Sequence, residues 1–352
     1  MAIEEFTSIH ILEYGDAISP TSKPKFLSAL RHALVNIGFF YIRNPPIGIK
    51  VREALVQKTG SFFALPTAEK EQVALVNSRH FRGYASLGSE RTGTKTDGRE
   101  TLTVGFDDSA RGFRQAVEAY LNEIQALSNT FAILIAETLD MEPTVFTKLL
   151  DKTRYSLLRI AAYPRPQGSS NPETGFQGVG PHKDGSFLTF LLQGTGHSSL
   201  EVQNKAGEWI AAPPVENTLV VNIGRSLETL TRGVCVATTH RVILRQGQYC
   251  QGHNGTRLSF PFFQSLGLDV APEDMQIDIP EHILALRRDD DISEVETYFA
   301  EAFKGLVGEA LLTNGVSSYP GVGTRWYPEL EAEVRKQQHA AKQLDDSKAV
   351  SA

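Results

Sequence analysis

The sequence predicts a mainly β protein with α-helices: a jelly-roll core flanked by N-terminal and C-terminal helices. Three observations predict it. Between residues 155 and 263, short apolar segments recur between Gly and Pro punctuation, the texture of a sandwich or barrel. Before residue 150, apolar residues fall mostly at helical spacing. After Asp269 the chain becomes mixed and then helical, with no internal repeat. The expected division is 1–150 for a helical N-terminal region whose short strands pack on the core, 151–268 for the jelly-roll core, and 269–352 for a C-terminal helical extension and tail.

The first helix is expected over 24–36. Thr21 or Ser22 can cap it, Pro24 suits its first turn, and Phe26, Leu27, Leu30, Leu34 and Ile37 share one face. Gly38 ends it, residues 39–42 read as a short buried strand, and 44–48 as a turn. A second helix is expected over 49–64, stopping before Pro66. Residues 80–100 space Gly83, Gly88, Gly93 and Gly98 among polar side chains, which reads as a long mobile loop. Residues 110–139 keep a helical period through Phe113, Val117, Tyr120, Ile124, Leu127 and Phe131. Such a helix is roughly 40 Å long, enough to lie along a sheet. Strands are expected at 157–162, 187–193, 200–203, 218–223, 240–245 and 257–263, and a helix at 295–312 before a polar tail from 337.

Composition narrows the function. A chain of 352 residues with 41% apolar and 22% charged content buries a large core without staples. A net charge of −6 and no long basic stretch argue against nucleic-acid or anionic-membrane surfaces. Cys235 and Cys250 form no disulfide framework and no CxxC zinc pair, as expected of reduced cytoplasmic thiols. Residues 1–10 are acidic and unlike a signal peptide, and the apolar run 131–136 is too short to cross a bilayer. The expected partner is a small-molecule substrate, with no nucleic acid, membrane or obligate protein partner.

His182-Lys-Asp184 begins the chemistry. Residues two apart on a strand share a face, so an imidazole and a carboxylate converge. His240 opens a second β-rich run, and a jelly roll can bring it to the same mouth. Two imidazoles and one carboxylate leave three coordination positions open, the arrangement that selects non-haem Fe(II). A hydrolytic zinc site could use the same ligands, but it wants a single open position. Arg257-Leu-Ser259 repeats the two-residue spacing. Beside a metal, an Arg fork and a hydroxyl would anchor the far carboxylate of a bidentate keto acid; an ordinary surface Arg and Ser is the plain alternative.

The chain resembles the isopenicillin N synthase-like branch of the Fe(II)/2-oxoglutarate-dependent dioxygenases, from Ile9 to about Leu330. The N-terminal half carries Asn36-Ile-Gly-Phe-Phe-Tyr-Ile, Phe62-Phe-Ala-Leu-Pro66, Glu69-Lys70 and His80-Phe-Arg-Gly-Tyr84. The second half carries Tyr163-Pro164, His182-Lys-Asp184, Leu188-Thr189, Leu191-Leu-Gln193, Val220-Val-Asn-Ile-Gly224, His240-Arg-Val242 and Arg257-Leu-Ser259. Arg325-Trp-Tyr-Pro328 is similar to a pattern of fungal members. The resemblance implies a double-stranded β-helix core, iron at His182, Asp184 and His240, and 2-oxoglutarate filling two open positions. It implies that Arg257 and Ser259 hold the distal carboxylate, that Tyr163 reaches the same co-substrate, and that O2 takes the last position before a hydrogen atom is removed from substrate.

Four places depart from the pattern. Asn44-Pro45-Pro46 replaces Asn-His-Gly, Ala161 stands where an Asn is usual, Arg225 replaces an acidic residue, and 246–256 extends the gap before Arg257 as an expected hairpin. For substrate, strand parity puts Phe263 on the face of Arg257, Ser259 and Pro261, and Leu191 on the face of Thr189. His80, Phe81 and Arg91 of the Gly-rich loop are candidate contacts from above. The expected activity is hydroxylation, desaturation or ring formation on a small organic molecule of specialised metabolism. A keto-acid-independent oxidase and a non-catalytic binding protein are the rivals. His10, His32, His197, His253, His282 and His339 are expected to be structural or exposed, and 289–291 a solvated acidic turn.

Overall fold

The described residues of the computed structural model are 6–92, 95–104, 113–152, 155–167, 175–249, 255–287 and 305–337, and they include fourteen short strands, the nine helices given below and a further helical run over 328–337. The strands are β1 (Ile11–Glu13), β2 (Phe39–Arg43), β3 (Gly83–Ala85), β4 (Arg91–Thr92), β5 (Lys95–Thr96), β6 (Glu100–Val104) and β7 (Leu157–Tyr163), then β8 (Phe176–His182), β9 (Leu188–Gln193), β10 (Leu200–Gln203), β11 (Trp209–Ala211), β12 (Thr218–Ile223), β13 (His240–Leu244) and β14 (Arg257–Gln264). The helices are α1 (Tyr14–Ile18), α2 (Lys23–Asn36), α3 (Ile49–Phe63), α4 (Thr67–Lys70), α5 (Arg114–Thr138), α6 (Arg225–Leu230), α7 (Glu281–Leu284), α8 (Val307–Ser318) and α9 (Pro320–Trp326).

The major sheet has the order β1-β2-β12-β9-β14-β7-β6-β3, and the minor sheet the order β11-β10-β13-β8. All pairs are antiparallel except β1 with β2. Alternation along the strands divides the core in two. Leu158, Ile160, Phe190, Val221, Phe260 and Phe262 point to one side of the major sheet and pack with α2 and α5. Ala161, Tyr163, Leu191 and Val220 point to the other and meet Val202, Val242 and Leu244 of the minor sheet. The space between the sheets, where the second group lies, also receives the polar side chains described below. Truncating a fully buried ring such as Phe190 would cost about 3–5 kcal/mol.

The end of α2 braces the second half of the chain. Gly38 adopts φ +73, and a Cβ there would collide with the carbonyl of Val236 and the hydroxyl of Thr238. The Val236 amide donates to Leu34 O at 3.0 Å, and the Thr238 hydroxyl to Ile37 O at 2.7 Å. This clasp sits immediately before His240.

Several elements differ from the sequence reading. The 80–100 segment is built from β3, the β4–β5 hairpin and the start of β6, and it buries Glu90 and Asp97. Paired buried charges organise it where its composition suggested a loop. β8 was not expected, because Gly178, Gly180 and Pro181 interrupt the usual strand signal. Those glycines are needed: a Cβ on Gly180 would lie 2.9 Å from Thr92, and one on Gly178 2.8 Å from Val242. Within the expected 246–256 hairpin, residues 246–249 form a 3-10 turn and 250–254 lie outside the described residues. Residues 105–112, most of the expected 295–312 helix, Cys250, His253, His339 and the 289–291 turn also lie outside them.

Candidate active site

His182 ends β8 and His240 begins β13, and the pairing of these strands sets the two residues directly opposite one another. Asp184 follows two residues after the end of β8. Among the described residues these three form the group able to hold a metal ion, their ligand atoms all within 4.8 Å of one another. Asp184 Oδ1 lies 3.5 Å from His182 Nε2 and 3.7 Å from His240 Nε2, and the ring centroids are 4.3 Å apart.

Hydrogen bonds settle which atoms face inward. His182 Nδ1 lies 2.8 Å from Gly180 O, and His240 Nδ1 lies 3.2 Å from Thr238 O. A carbonyl only accepts, so each Nδ1 carries the proton and each Nε2 presents a lone pair. Asp184 spends Oδ2 on Thr189 Oγ1 at 2.6 Å and Asn222 Nδ2 at 2.8 Å, which leaves Oδ1 for the centre. Two lone pairs and an anionic oxygen converge with no proton between them, an arrangement a divalent cation relieves. Burial pushes the Asp184 carboxyl up, but the two imidazoles and the Thr189 bond outweigh it and hold it well below the usual range. Burial first, and the neighbouring His182 second, push His240 down to about 4, which keeps it neutral and able to ligate. His182 has 34% of its side chain exposed against 9% for His240, so the centre opens on the His182 side.

Arg257, Ser259 and Tyr163 also turn into the space between the sheets. Arg257 pairs with Tyr163 across β14 and β7, is only 2% exposed, and lays its guanidinium 4.6 Å from the Tyr163 ring. Its Nη1 is buried and has no hydrogen-bond partner in the protein. A buried donor left unmet costs about 1–3 kcal/mol, so the position favours an anionic acceptor. Ser259 lies two residues on, buried on the same face. Tyr249, which sequence reasoning missed, donates to Tyr163 O at 3.2 Å. Burial pushes its hydroxyl up to about 12 against the pull of Arg257. Its only signal was an aromatic residue inside a segment otherwise read as an extension.

The five candidate substrate residues fall into two groups. Phe263 is half-buried and stands opposite Thr189, the residue that bonds Asp184. Leu191, two positions further along β9, faces the same space from within the inner apolar cluster. The other three are not gathered with them. His80 and Arg91 are exposed, and Phe81, at φ +57, stacks on Tyr327 at 6.1 Å and contacts Tyr319 at 6.2 Å. Phe81 therefore docks α8 and α9 against the segment. Trp326 Nε1 donates to Val76 O at 3.0 Å and the Tyr327 hydroxyl to Arg79 O at 2.9 Å beside it.

A charged cluster borders the space and was not anticipated. Arg99 contacts Glu90 at 2.6 Å and Asp97 at 3.4 Å. Glu90 also accepts from Thr101 at 2.7 Å and from the Tyr319 hydroxyl at 3.0 Å. Burial raises the Glu90 carboxyl, but Arg99, Arg159 and those two bonds prevail and bring it to about 2. The legible clue was Arg159, a charge inside the otherwise apolar strand Leu157-Leu-Arg-Ile-Ala-Ala.

Comparison with known proteins agrees with this geometry. Residues 9–123 match the family described as non-haem dioxygenase in morphine synthesis N-terminal, and residues 154–265 match the 2OG-Fe(II) oxygenase superfamily. A 2-oxoglutarate-dependent dioxygenase of Gibberella zeae is 41% identical over 97% of each chain. The 2-oxoglutarate-dependent dioxygenase frbJ of a Dothideomycetidae species is 38% identical over 94% of this chain and 96% of its own. The full-length Neurospora crassa T7H, solved with alpha-KG, shares the fold with a TM-score of 0.70 at 22% identity, covering 90% of this chain and 98% of that one. The chain belongs to the 2OG-Fe(II) oxygenase superfamily, enzymes with a jelly-roll core that use Fe(II), 2-oxoglutarate and O2.

Proposed function

We propose that His182, Asp184 and His240 hold the iron, that Arg257, Ser259 and Tyr163 hold 2-oxoglutarate, and that Phe263 and Leu191 wall a substrate pocket for a small organic molecule. The observation that carries this reading is the convergence of two Nε2 lone pairs and one carboxylate oxygen, with the unpartnered Arg257 Nη1 buried in the same inter-sheet space.

Iron, 2-oxoglutarate and O2 together supply an oxidant able to remove hydrogen from a C–H bond while the keto acid loses CO2. The protein's part is positional. The carbonyls of Gly180 and Thr238 lock both imidazole tautomers, and Thr189 with Asn222 turns one carboxylate oxygen inward. The Arg257 fork, held 4.6 Å from the Tyr163 ring, would bind one end of the keto acid. Phe263 and Leu191 exclude water where a C–H bond must be presented.

Relatives act on small molecules by name, among them clavatol oxidase claD of Penicillium crustosum, and T7H has been solved with thymine. Together with the fungal relatives, this supports a role in specialised metabolism. No helix among the described residues is long and apolar enough to cross a membrane, and the two-cysteine sequence suits a reducing cytoplasm.

The test is anaerobic titration of Fe(II) and 2-oxoglutarate into the wild type, Asp184→Ala and Arg257→Ala proteins. Asp184→Ala is expected to lose iron, and Arg257→Ala to keep iron and lose 2-oxoglutarate. An iron-loaded, active Asp184→Ala protein would overturn the assignment.

A further inference from the structure

We infer that Arg159 and Thr103 form an anchor for a carboxylate of the substrate, so that this enzyme oxidises a small organic acid. The inference rests on the substrate pocket proposed above and names what that pocket selects.

Arg159 is on the inner face of β7, two residues before Ala161 and four before Tyr163. Thr103 of β6 stands directly across from it, and opposed residues of an antiparallel pair share a face. The Arg159 guanidinium lies 5.8 Å from the Phe263 ring, whose residue is itself opposite Thr189 and hence near Asp184. A group bound at Arg159 would therefore reach toward the metal along Phe263.

Both side chains keep hydrogen-bonding capacity that the protein does not use. Arg159 Nε and Thr103 Oγ1 are buried without partners, although Thr103 is only 2% exposed. Arg159 donates from Nη2 to the Tyr319 hydroxyl at 2.9 Å, which holds the guanidinium still and leaves Nε without a partner. A quarter of the Arg159 side chain remains open, at 25% exposure. Its internal ion pair with Glu90 is a long one, at 4.0 Å. Glu90 makes its short contact with Arg99 at 2.6 Å, and Asp97 is taken by Arg99, Thr92 and Gln177.

The chemistry of the anchor selects the class of ligand. A guanidinium stays charged at any physiological pH and matches a carboxylate's two oxygens, and a neighbouring hydroxyl can donate a further bond. Apolar Phe263 and Leu191 suit the hydrocarbon body of the same molecule. The four charges of Arg99, Arg159, Glu90 and Asp97 cancel, so the attraction is the short-range fork and not a net positive field.

The experiment is calorimetric titration of the Mn(II)- and 2-oxoglutarate-loaded protein under nitrogen, after 2-oxoglutarate affinity has been measured for each variant. Matched probes are phenylacetate with phenylacetamide, 3-phenylpropionate with its amide, and octanoate with octanamide. At least one acid is expected to bind tenfold or more tightly than its amide. Arg159→Gln should bring that ratio to within threefold, Arg159→Lys should keep part of it, and Thr103→Val should lower it, all with 2-oxoglutarate affinity unchanged. Equal binding of acids and amides, no binding of any acid, or an acid preference that survives Arg159→Gln overturns the inference while leaving the 2-oxoglutarate site standing. A wild-type protein that does not take up 2-oxoglutarate overturns both readings together.

Discussion

Thr189 reaches from the major sheet to Oδ2 of Asp184, which hangs from the end of the minor sheet, and closes a 2.6 Å hydrogen bond between them. The bond holds the ligand carboxylate between the two halves of the core. Thr189→Val keeps the shape and removes the donor. Metal affinity is expected to fall about 10–100-fold, as is usual when a group supporting a ligand is lost. Competition against a chelator of known affinity measures it; unchanged affinity would show that Asn222 alone orients the carboxylate.

The metal-free protein should lose stability as pH falls from 6.5 toward 4. His240 is pushed down to about 4 from 6.5 by burial and by His182. Between those values the unfolded chain binds a proton that the native state refuses, so unfolding becomes easier as acid is added. The loss is at most about 3 kcal/mol for that shift. Thermal melts of the wild type and His240→Gln across this range are the check, and the variant should show the shallower slope.

Arg257→Lys keeps the charge and loses the fork, and should raise the KM for 2-oxoglutarate. Arg257→Ala removes a charge-assisted contact worth roughly 1.5–3 kcal/mol, which corresponds to at least tenfold in affinity. Steady-state kinetics with 2-oxoglutarate as the varied component decides it. Unaltered dependence on the keto acid would mean that the anchor lies elsewhere.

Phe263→Ala should change the substrate KM or the product ratio and leave 2-oxoglutarate affinity intact, because its ring borders the space beside Thr189 and under Arg159. A variant whose melting temperature drops while its products are unchanged would assign Phe263 to the core.

Phe81→Ala should loosen α8 and α9, since the ring fills the contact between Gly315, Tyr319 and Tyr327. Faster backbone hydrogen exchange over 307–326 is the expected signature. Arg91→Ala, at an exposed residue, should leave that exchange rate unchanged.

How much of this was legible depends on how local each signal is. The approach of His182 and Asp184 follows from two-residue spacing at a strand end, and that of His240 from the return of a jelly roll, so the motif could be read. The strands 157–163, 218–223 and 257–264 were legible because apolar residues dominate them. β8 was hidden because its glycines answer to Thr92 and Val242, which lie far away in sequence. The Arg99–Glu90–Arg159–Tyr319 cluster joins three separate segments, and no single window of sequence spans them. Phe81 looked like a pocket residue for the same reason: its partners are Tyr319 and Tyr327, more than two hundred positions away.

The order of strands in the major sheet bears on how the chain is made. Its two borders, β1-β2 and β6-β3, come from the first 104 residues, while the four central strands lie between 157 and 264. A ribosome adding roughly 5–20 residues per second delivers β2 about ten to thirty-five seconds before β12, and β6 about three to twelve seconds before β7. During that interval Phe39-Phe-Tyr-Ile-Arg43 has no β12 to join, and an unpaired apolar strand is a template for contact with other chains. Slower synthesis lengthens this exposure. Yield of soluble protein should therefore depend on chaperone supply more steeply than the stability of the finished molecule would suggest.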